Sequence, residues 1–285
     1  WMITSCFLIS LMAGIGRHLS QSDIHPFQIV FCRLIFAWFA ILPFILRRGI
    51  QSIKTNQIKI YFLRSVVSML AMWTWFFGVS YISIGELTAL SFLAPLFATI
   101  GAIFFLKETV KYRRWIAIII GFCGALIIIR PGFFDVTFGH LFAISTAFFM
   151  GFSALIIKKL TFKDDPLKII FISHSLMLPL GFIPSIFYWE WPILETWTFL
   201  ILIGPLAALA HFTLTKAFSL ADASLVTSID YARLPFAVLI GWIFFYEFID
   251  FWTWIGASII FISSIYILKR EIELKRKLEI SNLKN

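Results

Sequence analysis

Long apolar runs, separated by short polar segments, repeat along the whole of this 285-residue chain. A helix needs about 20 apolar residues to cross the hydrocarbon of a bilayer. Runs of that length predict spans at residues 2–19, 26–46, 60–81, 87–106, 114–130, 138–157, 167–188, 197–215, 223–246 and 251–268. The pattern therefore predicts an all-α membrane protein with ten transmembrane helices.

Lysine and arginine are concentrated in alternate connections between these spans. Nineteen of the 24 basic residues lie in five places: residues 47–59, 107–114 and 158–168, Lys216, and the tail 269–285. The opposite set of connections holds only Arg17 and Arg130. Because cytoplasmic loops retain positive charge, we expect both termini and the basic tail 269–285 in the cytoplasm, with the chain in the inner (cytoplasmic) membrane.

The composition excludes most other classes of protein. Hydrophobic residues make up 60% of the chain and charged residues 14%, whereas a soluble domain carries about a quarter charged residues. The excess of 24 basic over 15 acidic residues does not indicate nucleic acid, because these residues flank apolar runs. The lipid bilayer is the expected environment. Cys6, Cys32 and Cys123 are scattered in apolar runs, so they are interpreted as packing residues, and no metal or cofactor is predicted.

Two segments about 140 residues apart are similar to each other. The matched residues are Pro95 with Pro235, Glu108 with Glu247, and Trp115 with Trp254. Each half of the chain, 1–130 and 138–268, holds five predicted spans, and an odd number places the two halves in opposite orientations. Inverted repeats that meet at the membrane midplane are typical of secondary transporters.

These segments also carry a family resemblance. Residues 85–132 read GELTALSFLAPLFATIGAIFFLKETVKYRRWIAIIIGFCGALIIIRPG, and residues 231–271 read YARLPFAVLIGWIFFYEFIDFWTWIGASIIFISSIYILKRE. They resemble the first-half and second-half signatures of the drug/metabolite transporter superfamily, EamA type. The resemblance covers essentially the whole chain. Within the superfamily, the sequence is similar to bacterial permeases labelled S-adenosylmethionine uptake transporters. It implies two five-helix halves with alternating access to a central cavity, but no particular substrate.

Ionisable residues inside predicted spans are the first candidates for a substrate site. Arg33 lies about a third of the way into the second span, and Arg233 lies near the middle of the ninth. A charge at the centre of a membrane helix costs about 2.5–3.5 kcal/mol on insertion scales, so it usually faces a cavity or a partner. Asp230 is three residues before Arg233 and shares its helical face, with Tyr231 close by. A substrate or coupling site and a structural ion pair are both consistent with this spacing.

Other polar residues in the spans have two interpretations each. His174 and His211 could couple a proton to transport or hydrogen-bond a neighbouring helix. Glu86 and Lys216, at helix ends, could be charges at a cavity mouth, although helix ends need no function. Arg64, near the inner end of the third span, can snorkel to the interface.

Aromatic residues and prolines complete the candidates. Trp73 and Trp75 could stack on a planar or cationic substrate, or they could pack against lipid or other helices. Pro95 and Pro235 lack an amide hydrogen and so interrupt the helical ladder. A carbonyl freed in this way could contact substrate, and simple kinking is the alternative.

The fifth span carries Ala117, Gly121 and Ala125 at four-residue steps. Small residues at this spacing permit close helix contact, either within one chain or across a homodimer.

Among the functions weighed, a secondary transporter fits best. The sequence lacks an HExxH pair and a recognisable nucleophile setting, so an intramembrane enzyme is not predicted. It also lacks the ring of like charges expected of a channel. Two embedded arginines against one embedded acid predict a small carboxylate-bearing substrate, such as an amino acid or S-adenosylmethionine. A neutral planar compound such as riboflavin, or a drug, is the alternative.

The topology can be tested by chemical labelling. Residues 189–196 and 247–250 are expected outside, and 47–59 and 158–168 inside. Glu190→Cys and Lys163→Cys, each in a chain without its natural cysteines, should react with an impermeant thiol reagent from opposite sides of the membrane. Reaction of both from the same side would contradict the inverted repeat.

Overall fold

The computed structural model describes residues 1–98, 100, 112–130, 136–221, 226 and 229–282. All regular secondary structure in these residues is helical. The described helices are α1 (Met2–Gln21), α2 (Pro26–Arg48), α3 (Ile58–Tyr81), α4 (Ile84–Ser91), α5 (Tyr112–Ile129), α6 (Phe138–Thr161), α7 (Pro166–Phe187), α8 (Leu194–Leu220), α9 (Arg233–Phe245) and α10 (Phe251–Asn282). A single 3₁₀ turn, Ile50–Ile53, lies between α2 and α3.

The helices confirm the prediction of an all-α, multi-pass membrane protein. Six of them (α1, α2, α3, α6, α7 and α8) are long and apolar enough to cross a bilayer, and shorter apolar helices accompany them. The predicted spans 87–106 and 223–246 and the predicted loop 107–114 each lie partly outside the described residues. Glu108 lies outside them altogether. α10 continues through Asn282, beyond the predicted span end at 268, because the tail is rich in the helix formers Glu, Lys and Leu.

Polar residues at helix starts fix where several spans begin. The Asp165 carboxylate accepts hydrogen bonds from the amides of Leu167 (3.0 Å) and Lys168 (3.4 Å), and Pro166 is the first residue of α7. Ser83 caps α4 by accepting from the Glu86 amide at 3.2 Å. These side chains satisfy amides that the helix itself leaves unpaired.

Most of the helix packing joins the first half of the chain to the second. The main cross-half contacts pair α3 with α6 and α7, α5 with α10, α2 with α7 and α8, α1 with α8 and α9, and α4 with α6 and α9. The two halves therefore interlock instead of forming two separate bundles.

Small residues allow a close contact between α5 and α10. A methyl group added at Gly124 would lie 2.8 Å from the Gly256 carbonyl oxygen, and one at Gly256 would lie 2.5 Å from the Gly124 oxygen. The Ser263 hydroxyl donates to the carbonyl of Ala117. On the predicted small-residue face, Ala117 and Ala125 are buried, and a methyl group at Gly121 would collide with the Leu96 side chain. That face therefore packs within the chain.

At one end of the bundle, Asp164 joins the loops that follow α2 and α6. It accepts hydrogen bonds from Tyr61 (2.9 Å), Thr55 (3.2 Å) and Gln57 (3.2 Å), and Lys168 lies 2.6 Å away. Burial works against the charged carboxylate, but the hydrogen bonds from Lys168 and Tyr61 outweigh it and lower the pKa of Asp164. These two loops are the ones expected in the cytoplasm, and the cluster holds them together.

Candidate functional site

A cavity of about 190 Å³ lies in the middle of the bundle. One water needs only about 10–15 Å³ measured in this way, so the space can hold a small organic molecule. Its walls are mainly methionine, alanine and aromatic side chains. Its polar lining consists of Arg33, Arg64, Ser68, Ser91, Ser153, His174, His211, Asp230, Tyr231 and Arg233.

Arg233 joins the two halves of the chain at one wall of the cavity. It is the first residue of α9, and its Nη2 atom donates to the Ser91 hydroxyl (2.9 Å) at the end of α4. The same nitrogen lies 3.3 Å from Asp230 Oδ2. The guanidinium is 5.6 Å from the ring centroids of both Trp75 and Phe92, within the range of cation–π attraction.

Arg33 is 1% exposed. Unlike Arg233, it contacts thioether and imidazole groups and not a carboxylate among the described residues. Its Nε and Nη1 atoms contact the sulfur atoms of Met12 and Met72, and Nη2 lies 2.6 Å from His211 Nε2. No carboxylate among the described residues lies within ion-pair distance of Arg33. Thioether sulfur is a weak acceptor, so the charge of Arg33 is poorly compensated.

Arg64 was not among the residues predicted to bind substrate. Its side chain does not snorkel to the surface: the residue is 3% exposed and lines the cavity. It lies on the same face of α3 as Ser68, Ala71 and Trp75, which also line the cavity. That spacing of four, seven and eleven residues follows the helical repeat and is the signal by which the sequence could have identified Arg64.

The two histidines lie together in the cavity. Their ring centroids are 6.0 Å apart. The Nδ1 atom of His174 is 2.9 Å from the Ile170 carbonyl oxygen, and His211 faces Arg33.

Three of the predicted residues do not line the cavity. Trp73 packs edge-on against Phe27, with 5.4 Å between ring centroids. The Glu86 carboxylate instead lies 2.9 Å from His140 Nε2, joining α4 to α6. Pro235 is exposed in the first turn of α9.

The chain is interrupted next to both predicted prolines. α4 ends at Ser91, a turn at residues 92–93 follows, and Pro95 lies in the next helical stretch, at the cavity. In the second half, a turn at residues 231–232 precedes α9, and Pro235 follows it. The matched breaks place Ser91 and Arg233 opposite each other.

At the end of the bundle away from Asp164, an ion pair closes the space between helices that line the cavity. Arg17 Nη2 of α1 lies 2.8 Å from Glu247 Oε1, and Arg17 Nη1 donates to the Val79 carbonyl at the end of α3. Glu247 Oε2 in turn accepts from the Ile84 amide (3.0 Å), at the start of α4. We name this group the Arg17–Glu247 closure.

A multi-pass helical bundle around an internal cavity with charged walls defines a class of membrane protein that handles small molecules. Sequence comparison identifies the family. The model of the EamA-like transporter family matches residues 1–130 and, a second time, residues 137–269. The chain belongs to the EamA-like transporter family, and the predicted resemblance is confirmed.

Individual relatives span nearly the whole chain. The riboflavin transporter of Vibrio cholerae is 32% identical over 97% of this chain and 94% of its own length. The S-adenosylmethionine uptake transporter of Rickettsia bellii is 29% identical over 93% and 92%. One solved crystal structure, at 15% identity, covers 96% of this chain and 99% of its own with a TM-score of 0.61, which shows a shared fold.

The Asp230–Arg233 pair generates a prediction that separates binding from folding. If Arg233 acts on substrate, Arg233→Gln should abolish uptake and leave the melting temperature in detergent nearly unchanged. If the pair is structural, Asp230→Asn should destabilise by about 3–5 kcal/mol, because it leaves the buried Arg233 uncompensated. Arg233→Gln should destabilise less, because the Asp230 side chain is 25% exposed.

The matched control is Arg48→Gln. Arg48 forms an exposed pair with Asp165 at 3.1 Å, and such a pair is worth about 1 kcal/mol or less. Loss of folded protein in both single variants, with recovery on exchanging the two charges, would assign the pair to the scaffold.

Proposed function

We propose that this protein is a secondary active transporter that carries a small carboxylate-bearing metabolite across the cytoplasmic membrane by alternating access. The observation that carries the proposal is Arg33, buried in the cavity wall against two methionines and a histidine. The planar guanidinium can hold a carboxylate through two parallel hydrogen bonds. A bound carboxylate supplies the charge that the neighbours of Arg33 lack.

The aromatic wall of the cavity suits the remainder of such a molecule. Trp75 and Phe92 flank Arg233, and an apolar or planar group can pack against them. S-adenosylmethionine, named for the Rickettsia relative, combines a carboxylate with a planar base. Riboflavin, named for the Vibrio relative, is planar and neutral and is the second candidate, favoured by the aromatic wall but not by Arg33.

Two observations support an inverted duplication, a construction that many alternating-access transporters share. The family model matches the chain twice, once in each half. In addition, if each helix is exchanged with the one five places later, the cross-half contacts map onto one another: α3 with α6 becomes α8 with α1, α2 with α8 becomes α7 with α3, and α1 with α9 becomes α6 with α4. Related halves can exchange conformations and so open the cavity to either side.

The Arg17–Glu247 closure supports the interpretation that the cavity is closed to one side of the membrane in this structure. It joins α1, α3, α4 and the segment after α9 at the end expected to face outside. The cavity reaches instead toward Met2, Ile157 and Phe218, at the end expected to face the cytoplasm. We interpret this arrangement as the inward-facing state.

Alternating access predicts that weakening the closure exposes the cavity to the outside. In a chain without natural cysteines, Ala71→Cys on the cavity wall should react faster with an impermeant reagent added outside when Glu247→Gln is also present. A loss of about 1.4 kcal/mol from the closed state raises the open population about tenfold. Arg48→Gln, which breaks the exposed pair between Arg48 and Asp165 at the opposite end of the bundle, is the control and should leave the rate unchanged. Equal rates in all three chains would contradict the closure.

The substrate prediction is tested by competition in proteoliposomes. With S-adenosylmethionine or an amino acid as the labelled solute, the free acid should inhibit flux at least tenfold better than its methyl ester or amide. Arg33→Gln should remove that difference, because the ester and the amide lack the charge that Arg33 reads. Equal inhibition by all three compounds would reject a carboxylate substrate and favour a neutral planar one.

A further inference from the structure

Arg64 is a second arginine of the cavity whose charge has no partner among the described residues. It lies on α3 within the bundle, 3% exposed, and its Nε atom has no hydrogen-bond partner among the described residues. No carboxylate in that part of the chain lies within ion-pair distance of it. A charged arginine in the interior of a membrane protein is costly unless it is paired, so Arg64 either has a mobile partner or destabilises the fold.

His174 lies beside Arg64 on the facing helix. The hydroxyl of Ser65, the next residue on α3, donates to the carbonyl of Ser173 on α7 at 3.3 Å, which holds the two helices together at this level. His174 is 3% exposed and lines the cavity, and its Nε2 atom has no partner among the described residues. Two unsatisfied polar groups, one a permanent cation, thus share one part of the wall.

The charges along the cavity do not balance. Asp230 is the acidic residue among the described lining residues, and it is paired with Arg233. Neither Arg33 nor Arg64 has a carboxylate within ion-pair distance among the residues that the structure describes. One monoanionic group can compensate one of them, and a second negative charge is needed for the other.

We propose that Arg64 and His174 form a second anion subsite, and that the transported molecule carries a second anionic group, a carboxylate or a phosphate, which binds there. This inference rests on the proposed function and narrows it: S-adenosylmethionine has one carboxylate and riboflavin has none, so the subsite favours a dicarboxylate or a phosphorylated carboxylate over both. The oxygens of such a group accept from the Arg64 guanidinium, and when the group carries a proton, its O–H donates to His174 Nε2. The first anionic group lies at Arg33, so the substrate spans the cavity between α2 and α3.

Thermal stability of the purified full-length chain in detergent tests the subsite directly. The probes are acetate, succinate and inorganic phosphate at equal ionic strength. Succinate or phosphate should raise the melting temperature of the unaltered chain more than acetate does. In Arg64→Gln that additional shift should disappear while the acetate shift remains, and Arg64→Lys should retain part of it. Arg48→Gln, outside the cavity, should behave as the unaltered chain.

The same measurement without any anion separates binding from a structural role. If Arg64 serves the ligand, Arg64→Gln removes a buried uncompensated charge, and the chain should be at least as stable as the unaltered one. A large loss of stability in Arg64→Gln, or equal succinate and phosphate shifts in both chains, would overturn the subsite.

If acetate alone stabilises the protein, only the second anionic group is rejected. The absence of a shift with every probe would count against the carboxylate substrate as well. Succinate and phosphate effects compared with each other distinguish a dicarboxylate from a phosphate ester.

Discussion

The cost of placing arginine inside a membrane protein governs the centre of this structure. Three guanidinium groups, those of Arg33, Arg64 and Arg233, face one cavity, and each must be compensated by the protein or by something it binds. Arg233 is compensated by Asp230, the Ser91 hydroxyl and two aromatic rings. Among the described residues, Arg33 contacts two thioether sulfurs and an imidazole, and Arg64 Nε has no hydrogen-bond partner. The proposed preference for an anionic substrate depends on this difference.

The interlocked halves hold those charges in place. Because α1 packs on α8 and α9, and α3 packs on α6 and α7, every wall of the cavity contains helices from both halves. The Ser91–Arg233 hydrogen bond crosses between the halves at the two helix breaks. A change in how the halves pack therefore moves the cavity-lining side chains and the Arg17–Glu247 closure together, which is the coupling that the proposed alternating access needs.

The helical class and the approximate bounds of the six long described spans could be predicted from the sequence, because the 20-residue apolar run is a physical requirement of the bilayer. Arg33 and Arg233 could be identified as well, since a charge within an apolar run is evident from sequence. Which face of a helix meets the cavity is harder to predict. Trp73 and Trp75 differ by about 200° around the helix axis, and only knowledge of the neighbouring helices shows that Trp75 faces the cavity. Glu86 meets His140 across the two halves, a tertiary contact that no local pattern contains.

Charged side chains have two different roles in this structure, depending on whether the protein itself supplies a partner of opposite charge. Arg17 pairs with Glu247, and Arg130 pairs with Asp250. Each pair joins segments from opposite halves, and a charge compensated in this way stabilises one arrangement of the helices. A charge that the protein leaves uncompensated stabilises no arrangement until a ligand arrives. Under the proposed function, an anion bound at Arg33 and Arg64 contributes the missing interaction in whichever state holds it best. The ligand then biases the exchange between states only by the difference in its affinity for them.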